Sequence, residues 1–232
     1  MAIIDDITSD VESILSTIWD VTDGTVIPST EDLKLQGGGR NLNVAMLYAD
    51  LADSTALVSH NRQLAAKVFK TFLACATRLI RLNDGHIRSF DGDRVMGIFI
   101  GERKNSRAAM TALQLKWAFT NILKPKLEAK YEKLRDGTLT LAHATGIDNG
   151  DVLAVRAGIR GSNDLLWVGR AANIAAKLSN IREDTYRSYI TKSVYDALAE
   201  DVKFSSDKPI WQECVPWNDA GIIYRSEWGW KL

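Results

Sequence analysis

The sequence predicts an α+β fold, an α/β sandwich whose helices cover a mostly antiparallel central sheet. Two long amphipathic stretches alternate with short apolar runs of strand length, and turn residues punctuate them. The strand–helix–strand order also occurs twice along the chain, which implies one shared sheet. With 232 residues, 46% of them hydrophobic, the chain can bury a sizeable core.

Residues 1–40 read as an N-terminal helical extension and linker, and residues 41–232 as one domain. Ile4, Val11, Ile14, Leu15 and Ile18 mark an amphipathic helix that packs on the domain or on a second copy. Gly24, Pro28 and Gly37-Gly38-Gly39 predict a flexible connection. Leu42–Tyr48 (LNVAMLY) is a buried strand running into Asp50. Thr55–Leu82 is a long helix whose buried face carries Leu57, Leu64, Val68, Phe72, Cys75, Leu79 and Leu82, and Asn83-Asp84-Gly85 stops it. A hairpin follows, His86–Phe90 and Arg94–Ile100 around Asp91-Gly92. Ser106–Leu134 is a second long helix that Pro125 ends or kinks. Thr138–Ile147 and Val152–Ala157 form a strand pair joined by Asp148-Asn149-Gly150. Then come a strand at Leu165–Val168, a helix over Arg170–Ile181, a strand near Tyr189, a helix at Ser193–Ala199 and a hairpin over Ile210–Arg225.

Several function classes are excluded early. Lysine and arginine total 29 against 29 acidic residues, so no excess of cations exists to displace counterions from a nucleic acid. No run approaches the ~18–20 apolar residues of a membrane span, and the acidic start MAIIDDITSDVESIL lacks the features of a signal peptide. Cys75 and Cys214 cannot build a disulfide framework or a four-ligand zinc site. A cytoplasmic location is expected.

The chemistry concentrates in two places. In Tyr48-Ala49-Asp50-Leu51-Ala52-Asp53-Ser54-Thr55, an apolar strand ends at a carboxylate and a helix begins, presenting free backbone amides to an anion. In Phe90-Asp91-Gly92-Asp93-Arg94, acidic residues sit at a hairpin turn. If the two strands are neighbours, Asp50 and Asp93 share one small volume, where a cation or a proton must relieve their repulsion. Hard oxygen ligands suit Mg²⁺ or Mn²⁺ carrying a nucleoside triphosphate. Arg170, Asn173 and Lys177 share one helical face at i, i+3 and i+7.

This combination resembles the class III nucleotidyl cyclase catalytic domain over roughly residues 42–226. Tyr48-Ala49-Asp50 is similar to the family's Phe-Ala-Asp, and Gly92-Asp93-Arg94-Val95-Met96-Gly97-Ile98-Phe99 to its second metal hairpin. Gly146–Ala154 is similar to its Gly-Ile-His-x-Gly strand turn, and Val168–Lys177 to its Gly-x-x-x-Asn-x-Ala-x-Arg helix. The resemblance implies a head-to-tail homodimer with active sites in the cleft between protomers. It implies two divalent ions, Mn²⁺ or Mg²⁺, on Asp50, Asp93 and the carbonyl of Leu51, with the amides of Asp53, Ser54 and Thr55 on the triphosphate. From the partner protomer, Asn173 would orient the ribose and Lys177 would take the position of the family's transition-state arginine, with Arg170 assisting. Lysine is a departure, because it offers a point charge where arginine grips two oxygens. The family usually places a triphosphate-binding lysine in its last hairpin; the motifs here do not single one out, and Arg225 is a weak substitute.

The base pocket departs further. Ser89 and Leu166 occupy the family's two base-reading positions and match neither the adenine nor the guanine pairing, while Tyr48 replaces a phenylalanine and adds bulk. A partly filled pocket favours a pyrimidine. In this the chain resembles the pyrimidine cyclases of Pycsar antiphage defence, whose cyclic nucleotide is read by a separate effector. The absence of a carboxylate to accept from a cytosine amine favours UTP over CTP. The alternatives are a cytidylate cyclase, then an adenylate or guanylate cyclase, then an inactive nucleotide-binding module. Four of the seven tryptophans lie near the C-terminus: Trp211 and Trp217 are expected against the sheet, Trp228 and Trp230 over a dimer interface or another partner.

Overall fold

Residues 2–183 and 185–232 are described by the structure, a computed structural model. In chain order it contains α1 (Ala2–Ser16), β1 (Asp20–Asp23), β2 (Gly38–Ala52), α2 (Ser54–His60), α3 (Arg62–Leu82), β3 (His86–Asp91), β4 (Arg94–Ile100) and α4 (Lys104–Ala118). There follow α5 (Lys124–Lys130), α6 (Glu132–Arg135), β5 (Ala142–Ile159), β6 (Ser162–Val168), α7 (Arg170–Leu178), β7 (Ser188–Thr191), α8 (Lys192–Asp196) and α9 (Glu200–Lys203). The short strands β8 (Phe204–Ser205), β9 (Lys208–Pro209), β10 (Gln212–Glu213) and β11 (Ile223–Ser226) complete it.

The chain divides into two compact units, 1–43 with 151–170, and 44–150 with 171–232. In the smaller unit β1 pairs in parallel with the start of β2, Asp20 opposite Gly38. There β6 pairs antiparallel with the end of β5, Leu153 opposite Val168. Gly38 and Gly39 therefore lie inside a strand rather than in a flexible connection, and Gly39 has the Leu153 side chain against its Cα. Helix α1 buries none of its residues, and Ile4, Val11, Ile14 and Leu15 of its apolar stripe are exposed.

The larger unit carries the strand order β10-β11-β7-β5-β2-β4-β3. Its pairings are antiparallel for β10/β11, β11/β7, β2/β4 and β3/β4, and parallel for β5/β7. Alternation along β2 sets the two faces of the sheet. Ala45, Leu47, Ala49 and Leu51 join the core formed with α3 and α4, where Val68, Phe72, Ile80, Ala109 and Leu113 are buried. Met46, Tyr48 and Asp50 therefore point to the opposite face, and the pattern of hydrophobicity aims the functional side chains.

Three elements depart from the sequence expectation, each for a local reason. The helix expected over Thr55–Leu82 breaks at Asn61, which is extended and accepts from the amides of Gln63 and Leu64 with its side chain, capping α3. Leu82, expected in the buried face, is exposed, because the helix outruns its last packed turn at Leu79 and Ile80. The second long helix widens into a π-helical turn at Phe119–Leu123 just before Pro125, a turn that eases the clash of the proline ring with the carbonyl four residues back. The expected turn at Asp148-Asn149-Gly150 is absent, and β5 is one continuous strand. Asp148 is fully buried and accepts from the Thr191 hydroxyl at 2.6 Å, and the Asn149 amide donates to Asn105 at 2.9 Å. Tertiary partners satisfy the side chains that a turn would have used locally.

Next to Thr145 on the same face of β5 lies His143, fully buried, its ring 4.5 Å from Phe119 and 5.9 Å from Phe72. Burial pushes its imidazole down to about 3, and Arg187, Lys116 and Arg182 add like-charge repulsion. The unfolded chain binds this proton near the ordinary value of 6.5 and the folded chain does not. Stability is therefore full above that value and falls as pH drops through the window toward 3, by up to about 1.4 kcal/mol per pH unit. Urea midpoints measured from pH 7 to 4 should fall less steeply for His143→Phe than for the wild type; parallel slopes would refute this.

Candidate active site

The antiparallel register of β2 and β4, Tyr48 opposite Met96 and Ala49 opposite Val95, continues to set Asp50 beside Arg94 and the turn carrying Asp93. The two strands are neighbours, as the sequence argument required. Asp50 is only 6% exposed and receives two guanidinium groups on Oδ2, Arg182 at 2.9 Å and Arg94 at 3.2 Å. Arg94 is held in turn by Asn180 Oδ1 at 2.6 Å. Asp93 is poorly compensated by comparison, with a buried Oδ2 that has no hydrogen-bond partner. Burial and then the Asp50 charge push the Asp93 carboxyl above its ordinary value, and the Ser54 hydroxyl and Arg94 pull it part of the way back.

These features fit a divalent ion. An orphaned carboxylate oxygen beside a second carboxylate is a donor set suited to a hard divalent ion, and the Leu51 carbonyl adjoins it on β2. Among the described residues no cluster of three or more histidine, cysteine, aspartate or glutamate side chains could hold a metal ion, and this candidate rests on two carboxylates and a carbonyl.

The other expected residues distribute as follows. Asp53 takes the left-handed conformation, φ 56°, and starts the seven-residue helix α2 at Ser54, with Thr55 in its first turn. Tyr48 is partly buried and near enough to Arg94 and Asp91 to feel both, although burial is the larger cause of its raised hydroxyl pKa. Ser89 is exposed on β3, beside the bulge between Ile87 and Ser89. In the smaller unit, Leu166 is 51% exposed on β6 while Trp167 turns inward. Arg170, Asn173 and Lys177 are all exposed on α7, the face that their spacing predicted. Lys177 Nζ is 2.8 Å from Asp219 Oδ2, an exposed ion pair of small energy that another anion can replace. Among the described residues, no hydrogen bond or ion pair joins Asn173 or Lys177 to Asp50 or Asp93.

Sequence reasoning missed the cations. A cavity of about 320 Å³ lies beside the strand–helix turn, where Lys124, Arg182 and Arg187 meet the carboxylates of Asp53, Glu128 and Glu183. Arg94 was signalled by its place after Asp93 at the start of an antiparallel strand. Arg182 and Arg187 flank a loop, and Lys124 opens a helix; no periodicity distinguishes them. Arg225 is occupied on its own surface, 2.5 Å from Glu183 and stacked 3.8 Å above the Tyr186 ring. Trp211 is buried and donates to the Val202 carbonyl, and Trp217 packs partly buried against the cluster that holds Tyr189 and Ile223. Trp230 packs partly buried on the chain's own core and its amide donates to the Leu113 carbonyl, while Trp228 is exposed.

The fold is that of the class III nucleotidyl cyclases. A bacterial light-regulated adenylyl cyclase superposes with a TM-score of 0.65 at 20% identity, covering 80% of this chain and 90% of that one. The adenylyl cyclase CyaB from P. aeruginosa gives 0.62 at 18% identity, covering 81% and 95%. Uridylate cyclases from Xanthomonas perforans and Burkholderia cepacia are 42% and 40% identical over 236 residues, covering all of both chains in each case. The one from Rhodovulum sp. (strain MB263) is 41% identical over 237 residues, covering all of this chain and 98% of its own. The chain belongs to the uridylate cyclase family and is a nucleotidyl cyclase. No family model matches it. No helix among the described residues is long and apolar enough to cross a membrane.

Proposed function

We propose that this chain converts UTP to 3′,5′-cyclic UMP and pyrophosphate at a site shared between two copies, supplying a second messenger for antiphage defence. The observation that carries this reading is the Asp50–Asp93 pair, in a chain 40–42% identical along its whole length to proteins named uridylate cyclase. Two divalent ions, Mg²⁺ or Mn²⁺, would be held by Asp50, the Leu51 carbonyl and Asp93. When bound, they supply positive charge that lowers the pKa of the ribose 3′-hydroxyl and offsets charge on the α-phosphate.

The chain's own groups do the rest. The amides of Asp53, Ser54 and Thr55 bind the triphosphate, assisted by Lys124 and Arg187 from the adjoining cavity. Asn173 of a second copy orients the ribose. Lys177 exchanges its exposed partner Asp219 for the α-phosphate, and Arg170 assists. The 3′-hydroxyl gives its proton to solvent water and its oxygen bonds to the α-phosphorus in line, while the bond from that phosphorus to the β-phosphate oxygen breaks and pyrophosphate departs. Placing these groups on two chains agrees with the lack, among the described residues, of a hydrogen bond or ion pair from Asn173 or Lys177 to Asp50 or Asp93.

Tyr48, Ser89 and Leu166 select the base. Tyr48 shares a face of β2 with Asp50, so its ring stands near the reacting groups and narrows the space for a purine. Ser89 and Leu166 bring no fixed charge to the base edge.

The test incubates the purified protein with all four ribonucleoside triphosphates and Mn²⁺ and identifies products by mass. Cyclic UMP as the main product is expected. Cyclic CMP would overturn the uracil assignment and keep the pyrimidine pocket; cyclic AMP or GMP would overturn both.

A further inference from the structure

We propose that Arg182 plugs the divalent-ion position of the free enzyme and leaves it when nucleotide arrives, so that metal and nucleotide bind cooperatively. The inference rests on the reading of Asp50, Leu51 and Asp93 as the ion-holding groups. Arg182 follows α7, and its Nη2 donates to Asp50 Oδ2 at 2.9 Å and to the Leu51 carbonyl at 3.4 Å. Those are two of the oxygens assigned to the ion. The same guanidinium donates from Nη1 to the Ser179 carbonyl at 2.6 Å, which ties it to the end of α7.

A carboxylate only 6% exposed needs a counter-charge, and the free protomer supplies one from its own chain. A guanidinium and a divalent cation cannot occupy the same two oxygens: they overlap and repel. Ion entry therefore requires Arg182 to move, which costs free energy unless the displaced guanidinium finds another anion. The cavity it lines, with Lys124 and Arg187 and the carboxylates of Glu128 and Glu183, adjoins the turn at Asp53 assigned to the triphosphate. A polyphosphate there would accept Arg182 through paired hydrogen bonds. Arg94 differs, because it bonds Asp50 but not the Leu51 carbonyl, and Asn180 holds it in place. Binding linkage is reciprocal, so the ion promotes nucleotide binding by the same factor as nucleotide promotes ion binding.

The test measures Mn²⁺ affinity of the full-length protein from the free-ion paramagnetic resonance signal, with and without UTP. Wild type is compared with Arg182→Gln, Asp93→Asn and Arg187→Gln. Without nucleotide, Arg182→Gln should bind Mn²⁺ roughly tenfold or more tightly than wild type. UTP should tighten Mn²⁺ binding much less in Arg182→Gln than in wild type. Arg187→Gln removes a charge from the same cavity without freeing Asp50, and should change the UTP-free affinity by less than about threefold. Asp93→Asn should abolish the binding being measured. Equal affinities for wild type and Arg182→Gln, or equal gains in both arginine variants, would overturn the plug while leaving the metal site standing. Binding that ignores Asp93→Asn would overturn the metal reading and the plug together. A melting curve of Arg182→Gln matching wild type guards against misfolding, and Arg182→Met repeats the comparison if it does not match.

Discussion

Asp93→Ala is expected to lower UTP turnover by at least about a thousandfold, equivalent to ~4 kcal/mol of transition-state stabilisation, while leaving the metal-free protein as stable as before or slightly more so. Both halves follow from the same geometry. Asp93 carries a buried oxygen without a hydrogen-bond partner, and its carboxyl is pushed up by burial and by Asp50. Without a cation, its charge is a source of repulsion, so its removal costs the fold little. In the proposed reaction centre it is half of the pair that would hold a divalent ion. Mn²⁺ should therefore raise the melting temperature of the wild type and not of Asp93→Ala, because only a ligand that binds the folded state stabilises it. Asp50→Ala should differ, losing activity and stability together, because Arg94 and Arg182 would face each other over a missing carboxylate. Pyrophosphate release and melts with and without Mn²⁺ distinguish the two variants. Wild-type turnover by Asp93→Ala would dismiss the carboxylate pair as the reaction centre.

Gly146→Ala is expected to destabilise the protein by about 3 kcal/mol, the upper end of ordinary overpacking. A methyl group at Gly146 on β5 would strike the Ala175 carbonyl, stand 2.5 Å from the Ser179 amide and 2.6 Å from Leu178 Cβ. The first two are backbone atoms at the end of α7, so no rotamer change relieves the clash and the helix itself must shift. That helix carries Asn173 and Lys177 on its outer face, and Arg182 lies just beyond its end. Turnover should thus fall even at temperatures where the variant remains folded. Gly92→Ala is the control: its φ of 60° strains an alanine, but nothing lies within 4 Å, and the expected cost is about 1 kcal/mol. Urea midpoints for the two variants decide the matter, and equal losses would sever β5–α7 contact from the argument.

The carboxylates were legible because strand alternation is a short-range property. Leu47, Ala49 and Leu51 must face the core, which leaves Tyr48 and Asp50 on the other side whatever the rest of the chain does. The Asp91-Gly92-Asp93 turn was equally local, and so was the face shared by Asn173 and Lys177. Asp148-Asn149-Gly150 misled for the opposite reason. Its residues favour a turn in isolation, but a buried hydroxyl on β7 and an amide partner on α4 satisfy them inside one strand. The break at Asn61 stood between, since a capping side chain is readable in sequence once the helix is known to start there.

By itself, then, the sequence determined the α+β class, the two carboxylates and the polar face of α7, because periods of two and 3.6 residues act within a few residues of chain. Only the tertiary structure decided which cations attend them. Arg182 is 132 residues from Asp50 in the chain, Arg94 is 44 away, and Lys124 and Arg187 approach one cavity from different elements. Charge acts through space rather than along the chain, and a buried carboxylate takes whichever counter-charge the fold brings within reach.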